Sequence, residues 1–350
     1  MTVDLTNKQL VKNISALLEN ARNKVVVAVN QTIVLTYYEI GRMIVEDEQK
    51  GENRAEYGKA VLKDLSLHLS ERFGKGFSVE NLDRMRFFYK TYSKQISSTL
   101  LTDSQNQISQ TPSAEFNLSW SHYLKLMRIK DSNERKFYEI ESYKNNWSLR
   151  ELQRQYDSAL YARLSLSKNK EEILQLAEKG QIIEKPKDLI KDPYVLEFLG
   201  LSEKSTYSEG DLESQLIDKL EHFLLELGNG FTFVGRQQRI TFEEKHFYID
   251  LVFYNRILKC FVLIDLKIGE LKHQDIGQMQ MYVNYFDREK RLEGENKTIG
   301  IILCQDKSEA LVQYTLPEDN EQIFASKYFT VLPSKQDFIN ILNSDNGKTS

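Results

Sequence analysis

Apolar residues recur at helical spacing through VNQTIVLTYYEIGRMIVEDEQ (29–49) and AVLKDLSLHLSERFG (60–74), the second closing on a glycine. The pattern predicts helices across residues 8–92, with Ser78 of GFSVENLDRMRFFYKTY (76–92) as an N-cap. Residues 93–117 are rich in Ser, Thr, Gln and Asn and predict a flexible excursion. Helices resume at Trp120, with capping-box spacing at Asp131/Glu134 and again at Ser148/Glu151. Residues 168–193 form a charged connector with two prolines, long enough for one short helix. Beyond it the pattern changes. A helix over 209–228 precedes strand candidates at 231–242, 246–254 and 259–268. A helix over 273–287, strands at 298–304 and 327–332, a short helix between them and a last helix complete the chain. The expected organisation is a helical domain (1–167), a connector (168–193) and a mixed α/β domain (194–345) with helices around a central sheet.

Two charges interrupt the apolar segment FVLIDLKIGEL (261–271). Side chains alternate faces along a strand, so Val262, Ile264, Leu266 and Ile268 share one face, and Phe261, Leu263, Asp265 and Lys267 the other. In the preceding strand, Phe247, Ile249, Leu251 and Phe253 form an apolar set, opposed by Tyr248, Asp250, Val252 and Tyr254. Pairing the two apolar sets on one side puts Asp250 and Asp265 together on the other. Two hairpin registers meet this condition. With 254 facing 259, Asp250 lies opposite Leu263 and diagonal to Asp265. With 256 facing 259, the two aspartates are directly opposite. Either leaves their β-carbons roughly 5–8 Å apart.

Composition narrows the setting. The chain is 41% hydrophobic and 28% charged, no apolar run approaches a membrane span, and the N-terminus lacks a signal-peptide core. Cys260 and Cys304 fall in apolar segments and read as reduced core residues of a cytoplasmic protein. The five histidines are scattered and suggest no zinc site. The net charge of −4 is uneven: residues 1–170 hold 26 Lys and Arg against 20 Asp and Glu (+6), and residues 171–350 hold 21 against 31 (−10). A basic half attracts polyanions. An acidic half suits them only where its carboxylates hold cations.

Two adjacent carboxylates repel, and burial raises the cost of ionising them; a divalent cation removes both penalties. Mg²⁺ fits such a site, because it takes hard oxygen ligands and is commonly held by one or two carboxylates plus a phosphate. Lys267, on the same face as Asp265, is placed to orient a water or to meet charge developing on phosphate. A plain buried Asp–Lys ion pair is the competing reading. Glu213 sits on the apolar stripe of the 213–228 helix and can reach the cation through water, or it is a first-turn glutamate favoured by the helix dipole. Gln278 and Tyr282 are neighbours four apart on the next helix, either auxiliary site residues or ordinary surface polarity on it.

The ordered set Glu213, Asp250, Asp265-Leu266-Lys267 and Gln278 resembles the PD-(D/E)xK nuclease superfamily. FYIDLVFYNRILKCFVLIDLKIGELKHQDIGQMQMYVNYFDR is similar to the YhcG family of bacterial PD-(D/E)xK proteins. Residues 118–164 resemble the helical N-terminal domain that accompanies this nuclease. The resemblance implies a restriction-endonuclease-like fold. It also implies a metal-dependent nuclease that hydrolyses DNA phosphodiester bonds with Mg²⁺, or Mn²⁺ as substitute. Asp250 and Asp265 become metal ligands, with the Leu266 carbonyl as a further ligand. Glu213 becomes an outer ligand, Lys267 the catalytic lysine, Gln278 an auxiliary catalytic residue and Tyr282 a lesser one. Two positions depart from the pattern: Ile249 stands where the superfamily's name has proline, and Asp265 where the close family is expected to carry glutamate. The resemblance further suggests a role in bacterial defence, restriction or DNA processing.

In the N-terminal half, DRMRFFYKTYSK (83–94) interleaves basic and aromatic residues, making Arg84, Arg86 and Lys90 candidate phosphate contacts on a helix after a turn. Arg150, Arg154 and Arg163 on the 148–164 helix are a second set. A helical dimerisation or partner-binding domain is the rival. A catalytically silent DNA- or partner-binding protein on a nuclease scaffold is the alternative to an enzyme, and a structure-selective junction nuclease is a narrower version of one. A homodimer and a defence-system protein partner are further expectations, since cutting both strands often takes two active sites.

Overall fold

The computed structural model describes residues 3–48, 54–102, 116–165, 169–201, 207–336 and 338–340. The chain forms two compact units, residues 1–154 and 155–350.

The first unit is helical: α1 (Val3–Glu48), α2 (Arg54–Phe73), α3 (Val79–Thr102), α4 (Trp120–Leu126), α5 (Ser132–Lys144) and the start of α6 (Leu149–Asp157). The predicted caps form: Asn81 N donates to Ser78 Oγ (3.3 Å), Glu134 N to Asp131 Oδ1 (2.7 Å) and Glu151 N to Ser148 Oγ (3.2 Å). Ile44, Leu62, Leu82 and Met85 pack together between α1, α2 and α3. Gly41 permits the closest approach, since a β-carbon there would stand 2.1 Å from the Met85 carbonyl oxygen. Of the excursion expected over 93–117, α3 takes the part up to Thr102, and 103–115 lie outside the described residues.

The second unit opens with the end of α6, α7 (Leu160–Ser165) and α8 (Lys170–Lys179). Its sheet has the order β1 (Tyr194–Val195), β6 (Ile323–Phe329), β5 (Ile299–Cys304), β4 (Cys260–Leu266), β3 (Lys245–Asn255), β2 (Phe231–Phe242). β2, β3 and β4 are antiparallel neighbours, while β4, β5, β6 and β1 run parallel. α9 (Glu209–Asp218) and α10 (Leu220–Leu227) pack on one face through Leu212, Leu216, Phe223 and Leu227. α11 (His273–Glu289) covers the other through Ile276, Met279, Tyr282, Val283 and Phe286, joined by Leu311 and Val312 of α12 (Glu309–Thr315). This is the mixed sheet flanked by helices that the sequence implies. Cys260 and Cys304 are buried free thiols, and burial pushes both up to about 12. No helix among the described residues is long and apolar enough to cross a membrane.

Three details depart from the sequence reading. The helix expected over 209–228 breaks at Lys219, whose ammonium is held by the Phe198 and Leu199 carbonyls at 2.6 and 3.1 Å. The strand expected at 327–332 lies at 323–329. Finally, Phe247, Ile249, Leu251 and Phe253 do not share a face. Leu251 and Phe253 pack with α9 and α10, whereas Phe247 and Ile249 pack with α11. β4 pairs with β3 only over Leu251–Asn255, so residues 245–250 are free to twist with β2 alone. β2 makes the matching change: Phe231 and Phe233 lie on the α9 side and Ile240 on the α11 side. The switch occurs at Gln237 and Asp250, between the flanking pairs Arg236–Leu251 and Gln238–Ile249.

Candidate active site

The β3–β4 ladder pairs Asn255 with Cys260 and Leu251 with Ile264. This is the second of the two registers considered, although the ladder ends before it reaches Asp250 and Asp265. Beyond Leu251–Ile264 the two strands stop pairing, and the Asp250 carboxylate fills the gap by accepting the Leu266 N–H on Oδ2 (2.7 Å). Asp265 stays in the sheet beside β5, facing Ile302, and is 2% exposed. The Lys267 ammonium stands 2.8 Å from the buried Asp265 Oδ2, a charge-assisted contact.

Burial and the neighbouring Asp250 charge both push the Asp265 carboxyl up, to about 7, against the pull of Lys267. For Lys267, burial works against the charge, and Asp265 with Glu209 and Asp250 outweighs it, holding the ammonium up at about 12. An acid of the ordinary range thus keeps its proton near neutrality while the lysine beside it stays charged.

Glu213 is buried on α9 and accepts a hydrogen bond from the Gln237 side-chain amide. The same amide donates to Asp250 Oδ1 at 3.0 Å, so one NH₂ group bridges two carboxylates. Burial raises Glu213 first, the Gln237 bond opposes it, and the Asp250 charge raises it further. Gln237 has φ +47°, a left-handed conformation inside a β-strand that costs on the order of 1–3 kcal/mol. Glu209, in the first turn of α9, accepts the Ile268 N–H at 3.2 Å and lies 3.8 Å from the Lys267 ammonium. From the other face, Gln278 donates to the Tyr282 hydroxyl, which donates to the Tyr248 carbonyl at 2.9 Å. α11 is thereby fastened to the strand that carries Asp250.

Glu213, Asp250, Asp265 and Lys267 therefore meet at one end of the β3–β4 pair, with Gln278 and Tyr282 behind. Gln237 and Glu209 belong to the same constellation, although the sequence reading did not include them. Glu209 had a signal, since it lies one helical turn before Glu213.

Among the described residues no three acidic, His or Cys side chains form a ready-made cage for a metal ion. The donor set nevertheless suits a hard cation. Four carboxylates (Glu209, Glu213, Asp250, Asp265) face two basic groups (Lys267, Arg236), an excess of negative charge around the buried Asp265. Two of these carboxylates, Asp250 and Asp265, are placed to share an ion, with Glu213 within reach through Gln237 or water.

The basic residues proposed for nucleic acid fare differently. Arg86 pairs with Glu48 and Asp83, and Lys90 lies 3.6 Å from Glu48, so both serve the α1–α3 contact. Arg84 is 3.7 Å from Glu80 and Arg154 3.6 Å from Glu151, each within its own helix. Arg150 is exposed. Arg163 is fully buried against Glu226 at 2.7 Å, which removes it from the candidate phosphate contacts.

Residues 187–342 match the YhcG PDDEXK nuclease domain, and residues 13–163 match the DUF1016 N-terminal domain. The Escherichia coli (strain K12) protein named "Putative nuclease YhcG" is 40% identical over 345 residues, covering 94% of this chain and 92% of that one. A repair endonuclease from Pyrococcus abyssi aligns at 18% identity with a TM-score of 0.26, over 36% of this chain and 49% of that chain. An EndoMS–dsDNA complex aligns at 14% identity with a TM-score of 0.26, over 36% and 48%. In both cases the match spans about half the length of the solved chain. Two family domains that together cover most of the chain, and a relative matched almost end to end, place the chain in the YhcG family of PD-(D/E)xK nuclease-domain proteins.

Proposed function

We propose that this protein is a divalent-cation-dependent endonuclease that hydrolyses DNA phosphodiester bonds, with Mg²⁺ the expected ion and Mn²⁺ a substitute. The observation that carries the reading is the buried Asp265, pushed up to about 7 by burial and by the charge of Asp250, with a charged lysine 2.8 Å away. As a structural element this arrangement is costly. As a cation seat it would be useful, because a divalent ion held between Asp250 and Asp265 would offset their repulsion and favour the ionised carboxyl of Asp265.

Asp250 and Asp265 would hold the ion, with the Leu266 carbonyl as the adjacent donor and Glu213 acting through water. The bound cation supplies Lewis-acid stabilisation of the charged phosphorane and acidifies water. The chain's own groups do the rest. Lys267 keeps its proton and presents positive charge where a phosphate oxygen becomes more negative. The Gln237 amide fixes the rotamers of Glu213 and Asp250. Gln278 and Tyr282 hold the β3 backbone next to Asp250. In the same reading the first unit contributes binding rather than chemistry, through exposed basic residues such as Arg150, and a dimer would deliver a cut to each strand.

The test is cleavage of duplex DNA, single-stranded DNA, branched DNA and RNA with Mg²⁺, with Mn²⁺ and with chelator. Lys267→Ala and Asp250→Ala should each lower metal-dependent cleavage by on the order of 10³-fold or more while circular dichroism and melting stay close to wild type. Cleavage undiminished in both variants, or surviving in chelator, rejects the assignment.

A further inference from the structure

Resting on that nuclease reading, we infer that one face of the β2–β3 ribbon is a track for the DNA strand next to the cut. β2 and β3 pair over their full length, but β4 accompanies β3 only from Leu251 onward, so the ribbon between Arg236 and Asp250 continues without β4. A two-stranded ribbon of this kind matches a nucleic-acid groove in width.

The ribbon's two faces differ. Pairing puts Gln238 with Ile249, Ile240 with Phe247 and Phe242 with Lys245 on the α11 side, where Phe242 meets Phe247 and Tyr285. The other face pairs Arg239 with Tyr248 and Thr241 with His246, and Arg236 joins it opposite Leu251. All five of these residues are exposed, Tyr248 at 47%. Among the described residues Arg236 and Arg239 make no ion pair, although Arg236 is close enough to Glu213 to pull its pKa down. This face therefore starts at the acidic pair and leads away from it with two arginines, an aromatic ring and a Thr–His pair whose Oγ1 and Nδ1 are 3.0 Å apart.

Charge and spacing select the occupant. Guanidinium groups with no carboxylate partner suit phosphates, and an exposed tyrosine between them suits the sugar and base that join two phosphates. The run from Asp250 to His246 is four residues, roughly 13 Å of strand, which spans about two nucleotides beyond the scissile phosphate. Glu243 and Glu244 at the hairpin tip repel a backbone and end the track. The Tyr282 hydroxyl holds the Tyr248 carbonyl, so the base of the ribbon is fixed relative to the catalytic carboxylates.

The experiment measures DNA affinity against salt for the full chain in a Lys267→Ala background, with wild-type cleavage followed in parallel. Arg239→Ala should weaken binding and lower the slope of log K against log salt by about 0.9, the value for one phosphate contact on duplex DNA. Tyr248→Ala should weaken binding several-fold at unchanged slope. Lys245→Ala, on the opposite face, should leave the slope unaltered. Mg²⁺ binding, read as a shift in melting temperature with Asp250 and Asp265 intact, should be the same in all three. In a protein that cuts DNA, an unchanged slope in Arg239→Ala, or an equal drop in Lys245→Ala, overturns the track alone. A wild-type chain that neither binds nor cuts DNA overturns the nuclease reading and the track with it.

Discussion

The second unit holds two buried pairs of a carboxylate and a cation, almost equal in length and opposite in character. Arg163 and Glu226 meet at 2.7 Å with both side chains fully buried. Every part of that pair is also bonded elsewhere. The guanidinium donates to the Ser158 carbonyl, the Ser158 hydroxyl and the Pro193 carbonyl, while Glu226 Oε1 accepts the Val195 N–H. Asp265 and Lys267 meet at 2.8 Å, with a second carboxylate, Asp250, crowding the first and pushing it up. A buried charge that is completely satisfied is a fastener, here tying α7 to the segment around β1 and to α10. A buried carboxyl crowded by a second one points to a ligand that relieves the repulsion.

The sharpest way to break this comparison is to remove one member of each pair. Lys267→Ala should lower the cleavage rate by on the order of 10³-fold with little change in melting. Glu226→Gln should do the reverse, costing about 3–5 kcal/mol by stranding Arg163, a drop of roughly 10 °C for a domain of this size. Thermal melts and single-turnover cleavage on the same preparations separate the two. Equal effects on both readouts would erase the distinction.

A smaller effect concerns pH. The folded-state pKa of Asp265 lies near 7, above an unfolded value near 3.9. A carboxyl shifted upward makes the metal-free protein lose stability as pH rises from about 4 to about 7. Asp265→Asn removes the ionisation, so the metal-free variant should melt higher than wild type at pH 8 and show a flatter pH profile. The stabilisation that Mg²⁺ confers on the wild type should grow with pH over the same window and vanish in the variant. Calorimetry from pH 5 to 8, with and without Mg²⁺, reads both.

The smallest effect is at Gln237. Gln237→Gly relieves the left-handed backbone and should be neutral to stabilising by about 1 kcal/mol, while weakening cation affinity about 10-fold through the loss of a group that holds two carboxylates. Titration of Mn²⁺ measures the second, denaturant melts the first. A loss of stability with unchanged affinity would make Gln237 a strand residue and nothing more.

How much of this could be read in advance differs from residue to residue. Asp250, Asp265 and Lys267 could be brought near one another in advance because a short hairpin leaves few registers, and one of the two considered is the one found, although the parity that linked Phe247 and Ile249 to Leu251 and Phe253 is broken. Gln237 was hidden. It faces Asp250 only because β2 and β3 are joined by a two-residue turn, Glu243–Glu244, which lacks the glycine or asparagine that usually announces one. The change of facing at Gln237 and Asp250 was hidden for the same reason, since a left-handed residue cannot be seen in an apolar pattern. Arg163, Arg86 and Lys90 were illegible in another way. Their helices could be recognised, but their partners Glu226 and Glu48 lie 63, 38 and 42 positions away in sequence, and helical periodicity carries no information about such distant matches.

Position 300 controls how closely α11 can lie on the sheet. Gly300 of β5 faces that helix, and a β-carbon there would stand 2.6 Å from the Met279 sulfur and 2.9 Å from a Val283 methyl. Even one methyl group would press the helix outward. Tyr282 lies between those two residues in sequence and would be drawn away from the Tyr248 carbonyl that it grips. The absence of a side chain at a point far from any charge thus sets the reach of a hydroxyl that holds the ribbon, so a residue with no chemistry of its own governs the alignment of those that have it.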